Sequence, residues 1–170
     1  LKASMVIEGG NLGLTQRARV EYALSGGMVN TDFIDNSAGV DCSDHEVNIK
    51  ILLEPDICSD HLSMQDRNTL LESMMTTVEK RVLCHNTDQN ICITLASESL
   101  IDNSYISKSD RLNRWMKRMC ETASTNLLEN DLPDKHELKM RALEHKSLSR
   151  PELAILLSYI KTNIKKDIEA

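Results

Sequence analysis

Every glycine in this 170-residue chain falls before residue 40: Gly9, Gly10, Gly13, Gly26, Gly27 and Gly39. Glycine supplies tight turns and close backbone approach, so a chain that uses it early and then abandons it changes architecture on the way. The pattern predicts an α/β piece followed by a helical one. Pro55 stands near the change. We therefore divide the chain into residues 1–56 and 57–170.

The first part reads as strand, loop, helix, strand, loop, helix. Met5-Val6-Ile7 is a short apolar run closed by Gly9-Gly10, as expected of a buried strand. Thr15 can cap a helix reaching about Ser25, with Gly26-Gly27 as its stop. Met28-Val29-Asn30 would be a second strand, and residues 35–41 a loop. Ser43 followed by Glu46 has the spacing of a capping box, opening a helix whose apolar side is Val47, Ile51 and Leu52 and which Pro55 would end.

The second part is expected to be helical. Ser63 with Asp66 resembles a capping box, and Leu71, Met74, Met75, Val78 and Val82 follow at offsets of three and four. Residues 91–101 are assigned to helix, although Ile91, Ile93 and Leu95 alternate as in a strand. Ser107 with Asp110 would open another helix, striped by Leu112, Trp115, Met116, Met119, Cys120 and Ala123. Asn130-Asp131-Leu132-Pro133 is a break. Ser149 with Glu152 forms a third box ahead of Leu153, Leu156, Leu157, Ile160 and Ile164, and Pro151 is tolerated in a first turn. Methionine at helical spacing reads as core filler.

Charge and composition exclude several classes. A net charge of −6 with no long Lys/Arg run repels phosphate backbones, so no nucleic-acid partner is expected. No run of 18 apolar residues exists, so no membrane partner is expected. Leu1 is not an initiator methionine and no signal-peptide pattern follows it, which suggests a segment cut from a longer cytoplasmic protein. Five cysteines at irregular spacing suggest reduced thiols rather than disulfides. Cys42-x-x-His45 and Cys58-x-x-His61 superficially resemble zinc spacing, but coincidence is the simpler reading and no metal is assigned. His85, His136 and His145 lie in polar stretches and are expected to be solvated.

The informative stretch contains Glu8-Gly9-Gly10-Asn11, Thr15, Asn36-Ser37-Ala38-Gly39-Val40, Ser43 and Glu46. It resembles the nucleotide-binding domain of glutamate dehydrogenases, and over residues 6–53 the large bacterial NAD-specific class in particular. The Leu148-Ser-Arg-Pro-Glu-Leu-Ala154 segment is similar to the opening of that class's C-terminal helix. The resemblance implies a mainly α fold: a small remnant of a Rossmann-like α/β nucleotide-binding domain, then an α-helical C-terminal domain. It implies NAD as cofactor and L-glutamate and 2-oxoglutarate as substrates. The parent would be a homo-oligomer, an oxidoreductase that deaminates L-glutamate to 2-oxoglutarate and ammonia.

The same resemblance assigns roles. Gly10 would let backbone approach the cofactor, and Asn11 and Asn36 would contact its nicotinamide end. An Asn amide offers both a donor and an acceptor, which suits a carboxamide. Ser43, as the head of a helix, would meet the carboxylate of glutamate. No catalytic residue is assigned. The family's lysine and aspartate would lie upstream, and no G-x-G-x-x-G loop is present. The segment alone would then be inactive. The competing reading is a non-catalytic helical assembly module, for which the first 50 residues would be a flexible linker rather than folded.

Overall fold

The computed structural model describes residues 2–99 and 105–169. It is mainly helical. In chain order the helices are α1 (Gln16–Leu24), α2 (Asp32–Asp35), α3 (Ser37–Cys58), α4 (Met64–Ser99), α5 (Tyr105–Thr122), a 3-10 turn (Leu128–Asn130), α6 (Lys135–Leu143) and α7 (Arg150–Glu169).

Local chemistry sets most of the boundaries. Thr15 caps α1, its hydroxyl accepting from the Ala18 N–H at 3.2 Å. Past Ser25 the chain turns at Gly26, whose φ of +93° an L side chain resists. Ser63 precedes α4 and accepts from the Asp66 N–H at 3.1 Å. Between residues 64 and 99 there is no glycine or proline, and α4 runs unbroken for 36 residues. The helix expected at 91–101 is thus the end of α4 as far as Ser99; residues 100 and 101 lie outside the described residues. Asp131, at φ 50°, marks the expected break, and Asp134 then caps α6 through the Glu137 N–H.

The two strands are not realised. Among the described residues there is a single parallel bridge, Met5 to Met28. The Met28 N–H donates to the Ser4 carbonyl at 3.0 Å, and the Val6 N–H to the Met28 carbonyl at 2.9 Å. A parallel ladder is sustained by neighbours on both sides. Here the pair has none, so Met5, Ile7 and Met28 stay exposed instead of buried. Other expectations also give way. Residues 37–41 are helical rather than loop, so α3 begins at Ser37 after Asn36. Ser43 therefore lies inside α3 and caps nothing, and Glu46 pairs with Lys50 one turn on. Pro55 sits within the last turn of α3, which ends at Cys58. Ser107 falls inside α5 rather than before it.

The core gathers Ile34 of α2, Ile93 of α4, Met116 and Cys120 of α5, Leu127, Leu132, Leu138 of α6, and Leu148, Leu153, Ala154 and Leu156 at α7. Of the expected α5 stripe Met116 and Cys120 are fully buried, whereas Trp115 stays 40% exposed. Burying side chains of this size contributes about 1.5–3 kcal/mol each. The α3 stripe behaves differently. Val47, Ile51 and Leu52 are exposed, and no α3 residue is buried. α3 packs chiefly against α4 and, less, against α2, and that apolar side is left uncovered.

Polar clasps join the parts. Pro151 and Glu152 are fully buried in the first turn of α7, where Glu152 takes the Ser149 N–H and hydroxyl at 2.7 Å each. Arg141 of α6 reaches both Glu152 oxygens at 2.9 Å. Arg150 spans three segments, donating to Asn30 at 2.9 Å, Thr94 at 2.9 Å and Asn90 at 3.3 Å. Gln16 of α1 donates to the Pro151 carbonyl at 3.1 Å. The 148–154 motif therefore docks the C-terminal helix onto the N-terminal segment.

Candidate functional site

A buried ion cluster fixes the loop on which Asn11 rides. Arg19, on the inner face of α1, binds Glu8 at 2.5 and 3.0 Å and Asp32 at 3.2 Å. Glu8 and Arg19 each expose about 5% of their side chains. The remaining carboxylate capacity goes to backbone. Glu8 accepts the Leu14 N–H at 2.9 Å, Asp32 the Leu12 N–H at 2.8 Å, and Asp35 the Glu8 N–H at 3.0 Å. The Leu12 and Leu14 amides are thus tied to carboxylates that Arg19 pairs, which is how buried charge is accommodated, while the Glu8 amide is tied to Asp35, which also accepts from the Asn30 side-chain amide. A Cβ at Gly13 would stand 3.0 Å from Glu8 Oε1, a tight contact against a carboxylate that Arg19 and the Leu14 N–H hold in place.

The cluster shifts its members' pKa values. Burial alone would raise Asp32, but the Leu12 N–H, Arg19 and the Phe33 N–H outweigh it and hold the carboxyl below its ordinary value. Arg19 is raised, first by its hydrogen bond to Glu8 and against the opposing effect of burial, with Asp32 adding to the rise.

So held, Asn11 meets Asn36. The Asn36 amide donates to Asn11 Oδ1 at 3.0 Å across 25 residues of sequence. Both line a cavity of about 560 Å3 with Phe33, Ser37, Val40, Asp41, Asp44, His85, Asp88, Gln89 and Lys161. Its position is set by α4: Asn86 donates to the Ile34 carbonyl and to Ser37 Oγ, both at 2.8 Å, pinning the α2–α3 junction.

The chemistry this mouth offers is specific. With one bond spent between them, the pair retains the Asn11 NH2 as donor and Asn36 Oδ1 as acceptor. A primary carboxamide presents the complementary acceptor and donor. Phe33 and Val40, 40% and 67% exposed, supply apolar surface for a flat ring beside it. These groups are complementary to a primary carboxamide carried on a flat ring. No G-x-G-x-x-G stretch accompanies them in the sequence.

The other assigned residues stand apart. Gly10 is exposed, with open space where a Cβ would be. Ser43 is exposed about two turns along α3 from Asn36 and does not line the cavity. Its hydroxyl donates back to the Gly39 carbonyl at 3.2 Å. Because Ser43 is inside α3, the anion-binding geometry of a helix N-terminus is not available to it.

Sequence reasoning missed Arg19, Asp32 and Arg150, as well as Asp41 beside His85. His85 is not simply solvated: its Nδ1 lies 2.8 Å from Asp41 Oδ2. An arginine or histidine whose partner lies 11 or more residues away, as Glu8 does for Arg19, Asp41 for His85 and Asn30 for Arg150, leaves no local period to detect. The one available signal was Arg19 itself, a charge on the inner face of a short helix one turn after its cap.

Comparison with known proteins follows the same residues. A family model described as bacterial NAD-glutamate dehydrogenase, catalytic domain, matches residues 1–96. The chain is 40% identical over 171 residues to an NAD-specific glutamate dehydrogenase of Pseudomonas aeruginosa. It is 39% and 38% identical over 173 residues to proteins of the same name from Mycobacterium tuberculosis and Halomonas elongata. These alignments take in 99–100% of this chain but only 10% of each relative's length.

Proposed function

The chain belongs to the bacterial NAD-glutamate dehydrogenase family, and on that footing we propose that it forms the nicotinamide-side wall of the active cleft in a longer enzyme. That enzyme would oxidatively deaminate L-glutamate to 2-oxoglutarate and ammonia, with NAD accepting the hydride. The observation that carries the reading is the Asn11–Asn36 pair at the mouth of the cavity, with its complementary donor and acceptor free.

In this reading residues 1–56 are the C-terminal part of a Rossmann-like domain. The Met5–Met28 bridge, connected through α1, is its residual parallel pair. Gly10 leaves room for the cofactor to come close. Ser43 would exchange its bond to the Gly39 carbonyl for the side-chain carboxylate of glutamate. Residues 57–170 are the helical C-terminal domain, held to the first part through Arg150 and Gln16. Hydride transfer requires the cofactor's reactive carbon to face the substrate. In this reading the segment supplies one wall of that arrangement, the family's lysine and aspartate lie upstream of it, and it is inactive alone. The uncovered apolar side of α3 supports a contact with the rest of the parent chain or with another protomer.

The test is heteronuclear NMR of the 170-residue chain titrated with nicotinamide mononucleotide. Shifts confined to Asn11, Phe33, Asn36 and Val40 are expected, without NADH formation when NAD and glutamate are supplied. Shifts elsewhere, with those four silent, would remove the reading.

A further inference from the structure

Beside the same cavity, whose wall includes Asp41 and His85, two helices bring together three side chains that the dehydrogenase reading leaves unused. Asp41 and His45 are one turn apart on α3, and His85 faces them from α4. One donor atom from each lies within 4.8 Å of the others. His45 Nε2 stands 3.6 Å from Asp41 Oδ1, and His85 Nδ1 stands 2.8 Å from Asp41 Oδ2. The two imidazoles are stacked, with centroids 5.7 Å apart and planes 16° from parallel.

One detail lifts this above a surface ion pair. His45 Nε2 is sealed from solvent and takes no hydrogen bond. Buried polar atoms ordinarily make a hydrogen bond, and this nitrogen, with Asp41 as its ion partner at 3.6 Å, makes none. Its distance to Asp41 is too long for a hydrogen bond but suits a shared ion. Ligand bonds of about 2.0–2.2 Å place the donors of a tetrahedral site roughly 3.4 Å apart. Asp44 and Asp88 on the same wall add negative charge, against the single ammonium of Lys161.

We propose that Asp41, His45 and His85 form a three-ligand site for a divalent transition ion of the zinc class, with a fourth position open to water from the cavity. Two imidazoles and one carboxylate are ligands of the hardness zinc accepts, and no thiolate is needed. The ion would join α3 to α4 across 44 residues of sequence, stapling the N-terminal segment to the helical part. It replaces the weak reading of Cys42-x-x-His45 and Cys58-x-x-His61 as a paired site: His45 takes part, and its ion partners are Asp41 and His85.

The test uses the purified chain after chelator dialysis, titrated with Co2+ alone and then displaced by Zn2+. One equivalent of Co2+ should give visible d–d bands without a sulfur-to-metal charge-transfer band, and Zn2+ should raise the melting temperature. His45→Ala and His85→Gln should each weaken binding by more than about tenfold, the scale on which even outer partners act. His61→Ala and His136→Ala should leave it unchanged. Far-UV circular dichroism establishes that each variant folds, and exposed His85 is the safer of the two ligand positions. Binding that survives both ligand variants, is weakened by His61→Ala, or shows a thiolate band would overturn the site, as would absence of any stoichiometric band.

Discussion

Replacing Glu152 with alanine should destabilise the chain by about 3–5 kcal/mol, the range for stranding one member of a buried ion pair. The structure places this site at the severe end. Glu152 is 0% exposed and Arg141 7%, and the carboxylate holds both the guanidinium and two donors of Ser149. Loss of the carboxylate leaves Arg141 only Glu137, whose side chain is half exposed. A domain of this size is stable by about 5–15 kcal/mol, so one substitution removes a large share. Arg141→Met alone should cost a similar amount. The double variant Arg141→Met with Glu152→Leu should cost far less than the sum, because no charge is then left buried. Urea unfolding followed by far-UV circular dichroism gives the four corners of the cycle, and 1 M NaCl should change the coupling little. The pH dependence has a definite sign. Burial raises the Glu152 pKa in the folded state, against the opposing pull of Arg141 and Ser149. A raised folded pKa contributes stability below the ordinary value, about pH 4.3, that is lost as pH rises through the raised value. Wild type should therefore lose ground to Glu152→Gln as pH climbs from about 4.3. A cost below about 1 kcal/mol for Glu152→Ala, or additive single variants, would refute the reasoning.

Asp32 titrates in the opposite sense. Its folded pKa is held down, so its contribution is present above about pH 3.9 and lost as pH falls through the lower folded value; Asp32→Asn should flatten the acid limb of the stability profile. Gly26→Ala should cost about 1 kcal/mol or more, read as a lower urea midpoint, because the turn after α1 needs φ of +93°. Arg150→Met should loosen the junction of residue 30, α4 and α7. Hydrogen exchange of the Val6 and Met28 amides should then accelerate relative to α5, whereas uniform acceleration would argue against a local clasp.

What the sequence disclosed was local. Thr15, Ser63 and Ser149 announce their helices because a cap acts within one turn, and the α5 stripe announces Met116 and Cys120 because a helix face repeats. The Ser43-Glu46 spacing failed for the same reason: three residues apart is also helix-interior spacing, and α3 had already begun at Ser37. Met5 and Met28 have strand composition, yet strands are made by neighbours, and a single bridge is all that these residues provide. The site was half legible. Asn11 and Asn36 carry the family pattern and meet in space. The Glu8–Arg19–Asp32 cluster that positions them, and the Asp41–His85 contact behind them, depend on pairings no period records.

Steady-state kinetics on the proposed longer dehydrogenase probe the proposed nicotinamide wall most directly. Asn11→Ala and Asn36→Ala should each raise KM for NAD by about tenfold, the scale of one lost hydrogen bond to a buried polar group, with KM for glutamate little changed. Unaltered NAD kinetics in both variants, while the chain stays folded, would contradict the account.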